Sequence, residues 1–351
     1  MCSWLRKFRQ RRPRRPVGED PSRLPGHVIP ICCLVLTLLL ATLLSGCSVK
    51  GMAINSVANA LAGGDGGSNV YLTDNDPIFV GEALPFSLKL METILQETPE
   101  HEGLLVATAT GFVSYAEMWV GRPARYMEDT DVYAARRERE RAKALFLRAR
   151  GYAGRALDVR HPDIVEALLH SPDSAVLVLE IEDLPAMYWF TAAHGRAISS
   201  DLGDASLLVQ GKTVKAVLDR ALMLDESWGK GAIHELYMAL PSQIGGSPEN
   251  TEEHFARAME LNGGSAIGPM VSLAELVYVP RQDQEEFTRI LNQVLDFDPE
   301  EYPENRLTNI LAQEHAAWLL SKTDELFWME SPDESPHPDT NKMRITCPSH
   351  F

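Results

Sequence analysis

Apolar residues recur at helical spacing along nearly all of the chain from Glu82 onward. Intervals of three and four residues place such side chains on one face of an α-helix. Gly, Pro, Asp and Asn residues lie between the apolar segments, where helices usually end. The pattern therefore predicts an all-α protein, with helices in SLKLMETILQETPE, EGLLVATATGFVSYAEMWV, ARRERERAKALFLRARGYAGRALDV, PAMYWFTAAHGRAI, TVKAVLDRALML, GAIHELYMAL, EEHFARAMEL, VSLAELVYV, QEEFTRILNQVLDF and RLTNILAQEHAAWLL.

One run, AVLVLEIED from Ala175 to Asp183, has the β-branched content of a strand. The rest of the sequence offers it no obvious partner strand. We therefore expect a short helix or an extended connector at this position.

The later helices contain a repeat. The segments ALMLDES, AMELNGG and VLDFDPE begin at Ala221, Ala258 and Val294, at intervals of 37 and 36 residues. Each segment ends at a helix stop, and an apolar residue lies three positions before the first residue of the segment. This pattern resembles the second helix of a tetratricopeptide (TPR) unit. We predict TPR-like helical hairpin repeats that form a compact α-solenoid over residues 81–329. The preceding apolar residues are Leu218, Phe255 and Leu291.

The chain begins with an export signal rather than with a structural element. A basic segment precedes a 14-residue apolar run from Ile31 to Leu44, which is shorter than the ~20 residues that span a bilayer. Leu44, Ser45 and Gly46 then lead to Cys47, as in a bacterial lipoprotein signal, in which the cysteine carries the lipid. We predict a signal peptide over residues 1–46 and lipid attachment, including palmitate, at Cys47. An uncleaved membrane anchor is the alternative.

The remaining segments complete the predicted organisation. Residues 47–80 form the lipid anchor and a flexible tether with one short helical piece, and residues 330–351 form a disordered tail. An Asp directly after the lipidated cysteine would favour retention in the inner membrane, and this chain has Ser48 there. We therefore expect the protein to be located at the periplasmic face of the outer membrane, with the inner membrane as the alternative.

The charge of the chain argues against nucleic-acid binding, and its cysteine content argues against an internal disulfide. The chain carries −16 in total, and residues 1–46 carry +6 of that balance, so the rest carries −22. So acidic a body repels nucleic acid. After removal of the signal and lipidation of Cys47, Cys347 is the one free cysteine, which excludes an internal disulfide.

Sequence motifs give no catalytic site. His234 and Glu235 lie in an apolar helix, as in a zinc protease, but the second histidine would fall at Met238. The sequence GKT at residues 211–213 lacks the glycine that a phosphate loop needs at Ser206. We therefore expect no enzyme activity, no metal and no cofactor.

Four segments together resemble the T-component family of TRAP-type (tripartite ATP-independent periplasmic) transporters. The resemblance covers roughly residues 80–328 and includes the phrase GAIHE with Gly245 and Gly246. It implies a helical periplasmic protein that binds the substrate-binding protein of the transporter and passes a small organic ligand, apolar or amphipathic. The resemblance does not fix the oligomeric state, and a homo-oligomer is compatible with it. The segments lie at residues 184–198, 215–264, 273–298 and 305–320.

Within this framework, bulky aromatic residues beside small ones either fill the core or line a ligand channel. The candidate ligand contacts are Tyr188, Trp189, Trp228, His234 and Tyr237. A scaffold lipoprotein for cell-envelope assembly, also TPR-like, is the alternative function.

We predict that Cys47→Ala abolishes lipid labelling and leaves an unprocessed or misprocessed precursor, because the thiol is the attachment point. Metabolic labelling with a palmitate analogue, followed by electrophoresis, measures both effects. Normal labelling of the variant would contradict the lipoprotein interpretation.

Overall fold

A computed structural model describes residues 51–63 and 70–328. The predicted signal peptide, Cys47 and the predicted tail beyond Trp328 lie outside the described residues. The fold below is that of the described residues of the compact unit that begins at Ile54.

The prediction of an all-α protein is confirmed, since the described residues contain helices, turns and connecting segments but no strand. The principal helices are α1 (51–61), α2 (Pro77–Glu97), α3 (Glu102–Ala116), α4 (Val132–Arg160), α5 (Ile164–His170), α6 (Leu184–Ser200), α7 (Gly211–Leu224), α8 (Ala232–Met238), α9 (Pro248–Asn262), α10 (Gly268–Leu273), α11 (Gln284–Leu295) and α12 (Arg306–Ser321).

Side chains before several helices explain where those helices begin. The Asp76 carboxylate accepts hydrogen bonds from the backbone N–H groups of Ile78 and Phe79, both at 3.0 Å. Such caps satisfy N–H groups that have no partner inside the helix. The other side-chain caps among the labelled helices include Asp131 before α4, Ser247 before α9 and Asp283 before α11.

The strand-like run is a connector between α5 and α6, as expected. A helical turn, Pro172–Ala175, leads into two 3-10 turns at Val176–Val178 and Ile181–Asp183. Leu179 lies between the two turns in extended conformation and is fully buried. Its carbonyl accepts a 2.7 Å hydrogen bond from Arg220 of α7, which fixes the connector against that helix.

The repeat positions are buried at equivalent places in α7, α9 and α11. Ala221 and Ala258 are at most 2 % exposed, and Val294 is fully buried. Of the preceding apolar positions, Leu218 and Leu291 are fully buried, whereas Phe255 is only partly buried. Five of the six repeat positions therefore lie in the core.

Two helices contain a turn of π-helix, in which the chain is wound more widely than in an α-helix. Helix α3 continues through the π turn Glu117–Gly121 into a last helical turn, Arg122–Tyr126. Helix α10 continues in the same way through Ala274–Tyr278. Residues Glu102–Tyr126 are long and apolar enough to span a membrane by length and composition. Their apolar character also suits the core, since α3 buries Leu104, Leu105 and Phe112, among others.

The last helix packs against the first hairpin. Leu307 and Leu311 of α12 form a hydrophobic cluster with Val80 and Leu84 of α2. The Arg122 guanidinium donates a 2.9 Å hydrogen bond to the Leu311 carbonyl. Helices α2 and α12 are thus in direct contact, although more than 200 residues separate them in the sequence.

We predict that Leu311→Ala lowers the free energy of unfolding by about 2–4 kcal/mol, because it removes apolar contact and leaves a cavity at this junction. Leu311 is 5 % exposed. Urea denaturation followed by circular dichroism measures the change. The control is Leu177→Ala at a 68 % exposed position, where a change within about 0.5 kcal/mol is expected; equal effects would mean that the junction contributes little.

Candidate functional site

The five residues predicted to contact a ligand fall into two groups. Tyr188 and Trp189 of α6 lie with Trp228, which starts the 3-10 turn before α8. His234 and Tyr237 lie together on α8. No ring contact joins the two groups within the described part of the chain, although both groups border the same hydrophobic cluster.

Tyr188, Trp189 and Trp228 form one cluster, called here the aromatic trio. The Tyr188 ring lies 4.8 Å from Trp189, nearly perpendicular to it at 86°. It lies 4.9 Å from Trp228 at 44°. All three side chains are only partly buried. The trio therefore packs against the hydrophobic core on one side and leaves part of its aromatic surface accessible to solvent.

A glycine turn places Trp228 and the start of α8. Gly231 has φ of 93°, a conformation that L side chains rarely adopt, and it immediately precedes the helix. An added Cβ there would lie 3.1 Å from the Ala258 Cα atom, so the turn also packs closely on α9. Gly231 is therefore required both by the backbone conformation of this turn and by its close packing on α9.

Glu235 of α8 is a charged group beside the trio. Its side chain is partly buried, and burial raises its pKa to about 7. In the described residues, no group hydrogen-bonds or ion-pairs with its carboxyl. Its charge reaches Tyr188, whose pKa is raised by burial first and by Glu235 second. The carboxyl therefore acts electrostatically on one ring of the trio, and no described residue pairs with it.

The nearest basic side chain acting on the trio already has a partner. Arg196, just over two turns beyond Tyr188 on α6, partly opposes the rise in the pKa of the Tyr188 phenol. Its guanidinium lies 3.4 Å from the carboxylate of Glu117, in the first π turn. The positive charge of Arg196 is thus balanced by Glu117.

His234 and Tyr237 belong to a separate, hydrogen-bonded cluster between α7, α8 and α9. The Nδ1 atoms of His234 and His254 are 2.8 Å apart, and the Tyr237 ring stacks on His254 at 4.3 Å. The Tyr237 hydroxyl donates to Asp219, which also binds Lys215. Two hydrogen-bonded pairs, His234 with His254 and Tyr237 with Asp219, are thus linked by the Tyr237–His254 ring contact, and Lys215 extends the second pair.

Burial keeps the two histidines neutral. It lowers the pKa of His234, and the nearby carboxylate of Glu226 only partly offsets the effect. It also lowers the pKa of His254, with a further contribution from His234. Two neutral rings fit the short Nδ1–Nδ1 contact, since one nitrogen donates and the other accepts. No group of three His, Cys, Asp or Glu residues at metal-binding distance occurs within 51–63 and 70–328.

The second π turn carries a buried carboxylate, Glu275. Arg125, just beyond the first π turn, forms an ion pair with it, and the His315 ring lies 3.2 Å away on the other side. Burial would raise the pKa of Glu275, but the His315 hydrogen bond and the Arg125 charge outweigh it and lower the pKa to about 2. Glu275 therefore remains charged and joins α3, α10 and α12.

The His315 ring is held from two sides. Its Nε2 atom faces Glu275, and its Nδ1 atom lies 3.0 Å from the Tyr126 hydroxyl. Burial lowers the pKa of His315 despite the neighbouring carboxylate. A neutral ring that donates from Nε2 and accepts at Nδ1 satisfies both contacts. The Trp318 ring stacks on His315 at 5.7 Å and completes the cluster.

A groove lies elsewhere, between α2 and α4. Its volume is about 290 Å³, and its polar wall centres on Glu92. This carboxylate binds Lys89, Arg148 and the Tyr152 hydroxyl, so the positive charges in the groove are partly neutralised. The lining residues are Lys89, Glu92, Thr93, Leu95, Gln96, Arg148, Tyr152 and Arg155.

Sequence reasoning did not identify Glu275, Arg125, His315 or His254. One signal for Glu275 was present, because a carboxylate inside the apolar run LAELVYV needs a partner when buried. The same signal applied to Glu235 in GAIHELYMAL. The partners themselves come from helices far away in sequence, which periodicity does not reveal.

The site thus consists of a partly accessible aromatic trio and two hydrogen-bonded clusters on an all-α fold. The chain matches the TRAP transporter T-component family over residues 73–327, and it belongs to that family. The resemblance stated from the sequence is thereby confirmed. This family is a transport accessory family rather than a family of enzymes.

The chain is also similar to a protein of Treponema pallidum (strain Nichols) that is described only as uncharacterized. The two are 25% identical over 318 residues, which cover 85% of this chain and 98% of that protein. The similarity extends over nearly the whole relative, although its description adds no activity.

We predict that Glu275→Gln lowers the free energy of unfolding by about 1–3 kcal/mol near neutral pH, since Arg125 loses its charged partner. The Glu275 side chain is 23% exposed, so solvent moderates the loss. Because its folded pKa of about 2 lies below the ordinary 4.5, the contribution is present above about pH 4.5 and is lost as the pH falls toward 2.

Urea denaturation at about pH 7 and about pH 3.5 measures this dependence. The difference between wild type and variant should shrink at the lower pH. Glu285→Gln, at an exposed position of α11, is the matched control and should change stability little. A difference that does not vary with pH would argue against the ion pair.

Proposed function

We propose that the chain is an accessory lipoprotein of a TRAP-type transport system that binds the periplasmic solute receptor and passes a small organic, largely hydrophobic ligand through its helical domain. Membership of the T-component family over residues 73–327 carries this proposal. Stacking of the hairpins as a TPR-like solenoid is part of it, and the buried repeat positions Leu218, Ala221 and Ala258 support that arrangement.

The aromatic trio supports a ligand path. Residues that only fill a core are buried on all sides, as Phe190 of α6 is at 1 % exposure. Tyr188 and Trp189, on the same helix, and Trp228 retain accessible surface. Small-molecule sites are lined mainly by apolar and aromatic side chains of this kind.

An exposed apolar stripe on α2 supports a role in binding another protein. Phe79, Phe86 and Leu90 recur at intervals that place them on one helix face, and they are 62%, 74% and 39% exposed. Apolar surface of this kind often marks a contact with a partner. The solute receptor is the partner that the family provides.

The location follows from the predicted lipid at Cys47. We propose that the lipid holds the protein at the periplasmic face of the outer membrane, where it meets the diffusing receptor. The proposal rests on the lipoprotein signal and on Ser48 in the sequence.

The test is direct binding between the purified full chain and a TRAP solute receptor of the same organism, measured by isothermal titration calorimetry. We expect saturable binding with a dissociation constant in the range of about 0.1–10 µM, as for transient complexes. Phe86→Ser should weaken that binding at least about fivefold, because it removes exposed apolar contact.

The control partner is a solute receptor from an ATP-driven importer, which should not bind. Tyr133→Ser, at an 86% exposed position of α4, is the matched control for Phe86→Ser and should bind normally. Absence of binding to the TRAP receptor, together with capture of an outer-membrane assembly protein, would favour the scaffold alternative.

A further inference from the structure

We propose that the groove between α2 and α4 binds an acidic side chain of the solute receptor, and that it forms one docking surface with the apolar stripe of α2. The inference rests on the proposed function, since it names the chemical group by which the receptor meets this chain. It commits to a segment of the receptor that carries an aspartate or glutamate beside apolar residues, rather than to a free small anion.

The groove is built from one face of each helix. On both helices its wall residues recur at intervals of four and three, which places them side by side. The buried side chain of Leu95 also lines it. Its volume of about 290 Å³ falls just below the ~300–1,000 Å³ of small-molecule sites, and it is ample for one side chain. The wall residues at this spacing are Lys89, Thr93 and Gln96 of α2 and Arg148, Tyr152 and Arg155 of α4.

The groove is positively charged, although the chain as a whole is acidic. Its lining contains three bases, Lys89, Arg148 and Arg155, and one acid, Glu92, which leaves a net charge of +2. The whole chain carries −16. A local positive patch attracts a single carboxylate, whereas the acidic remainder of the chain repels an extended anionic surface such as nucleic acid or an anionic membrane.

Arg155 is the base of this groove that lacks an acidic partner among the described residues. Its guanidinium donates a 2.8 Å hydrogen bond to the Pro99 carbonyl and lies over the Tyr152 ring at 5.5 Å. These two contacts fix its position without neutralising its charge. A guanidinium held in this way has further N–H groups for a carboxylate, which it can bind through two parallel hydrogen bonds.

The other two bases share a single acid. The Glu92 carboxylate, whose side chain is 10% exposed, lies 2.9 Å from the Lys89 amine and also pairs with Arg148. Lys89 and Arg148 are themselves 69% and 42% exposed, so a partner can reach them. Arg148 also lies over the Phe112 ring of α3 at 4.9 Å. Glu92 therefore holds both bases beside Arg155 and leaves positive charge for an incoming acid.

The groove continues the apolar stripe of α2. Phe86 and Leu90 precede Thr93 by seven and three residues, so all three lie on one helix face. Phe86 is 74% exposed and Leu90 is 39% exposed. Seven residues of α-helix rise by about 10 Å. A receptor segment that covers Phe86 therefore reaches the groove with a side chain about 10 Å farther along.

A free small anion fits the groove less well than a side chain of a bound protein. Small-molecule sites enclose most of their ligand, whereas five of the eight residues that line this groove are exposed. An acidic side chain needs no such enclosure, because the apolar contact on the stripe already holds its segment in place. Interfaces combine apolar and complementary charged contacts in this way.

The first test is isothermal titration calorimetry of the purified full chain with a TRAP solute receptor of the same organism, at about 50 mM and about 300 mM salt. Arg155→Gln should weaken binding at least about fivefold at the lower salt and should reduce the loss of affinity at the higher salt. Arg136→Gln is the matched control, since it makes the same change at a 76% exposed position of the same helix outside the groove. It should bind normally, and circular dichroism checks the fold of both variants.

The second test identifies the group that enters the groove. A carbodiimide joins a lysine amine to a carboxylate in contact with it, so mass spectrometry of the cross-linked complex should find Lys89 bonded to an aspartate or glutamate of the receptor. Lys89→Arg keeps the positive charge but removes the amine. This variant should lose that cross-link and keep its affinity within about twofold.

Receptor binding that Arg155→Gln leaves unchanged, or a complex in which Lys89 forms no cross-link to the receptor, would reject the groove alone and leave the receptor role intact. Titration of the chain with inorganic phosphate tests the free-anion alternative. Saturable binding of phosphate that Arg155→Gln abolishes would assign the groove to a free anion and overturn the inference. Absence of receptor binding to the unmodified chain would reject the receptor role and this inference together.

Discussion

The half-buried ion pair between Arg125 and Glu275 is the contact on which the packing of these helices depends. It joins the end of α3 to α10, and His315 of α12 closes the group from the other side. A buried charge pair contributes little net stability, because desolvation offsets most of the attraction. Its value here is specificity, since any other placement of these helices would leave Glu275 buried and unpaired.

The two π turns make this contact possible. A π turn adds a residue to the helix and rotates the following side chains, and such turns are frequent at functional sites. The first turn supplies Glu117 and is followed by the helical turn that contains Arg125, and the second supplies Glu275. Each thus brings an acidic side chain to a basic one on another helix, Glu117 to Arg196 and Glu275 to Arg125.

Local features of the fold were accessible from sequence, whereas its long-range contacts were not. Periodicity gave the helices and the buried repeat positions, because both depend on spacing along one segment. The GG pair after α8 was also visible, and an added Cβ at Gly246 would lie 1.8 Å from the Leu240 carbonyl. The π turns have no such signature. The separation of Trp189 from His234 depends on how α8 is rotated against α6, which periodicity alone does not fix.

Two glutamates of this chain show how environment assigns different roles to the same residue type. Glu275 has a base and a histidine beside it, and its pKa falls to about 2. Glu235 has burial but no partner, and its pKa rises to about 7. The first is satisfied within the protein and can only hold helices together. The second is poised between its charged and neutral forms near neutral pH, so its protonation responds to small changes in its surroundings.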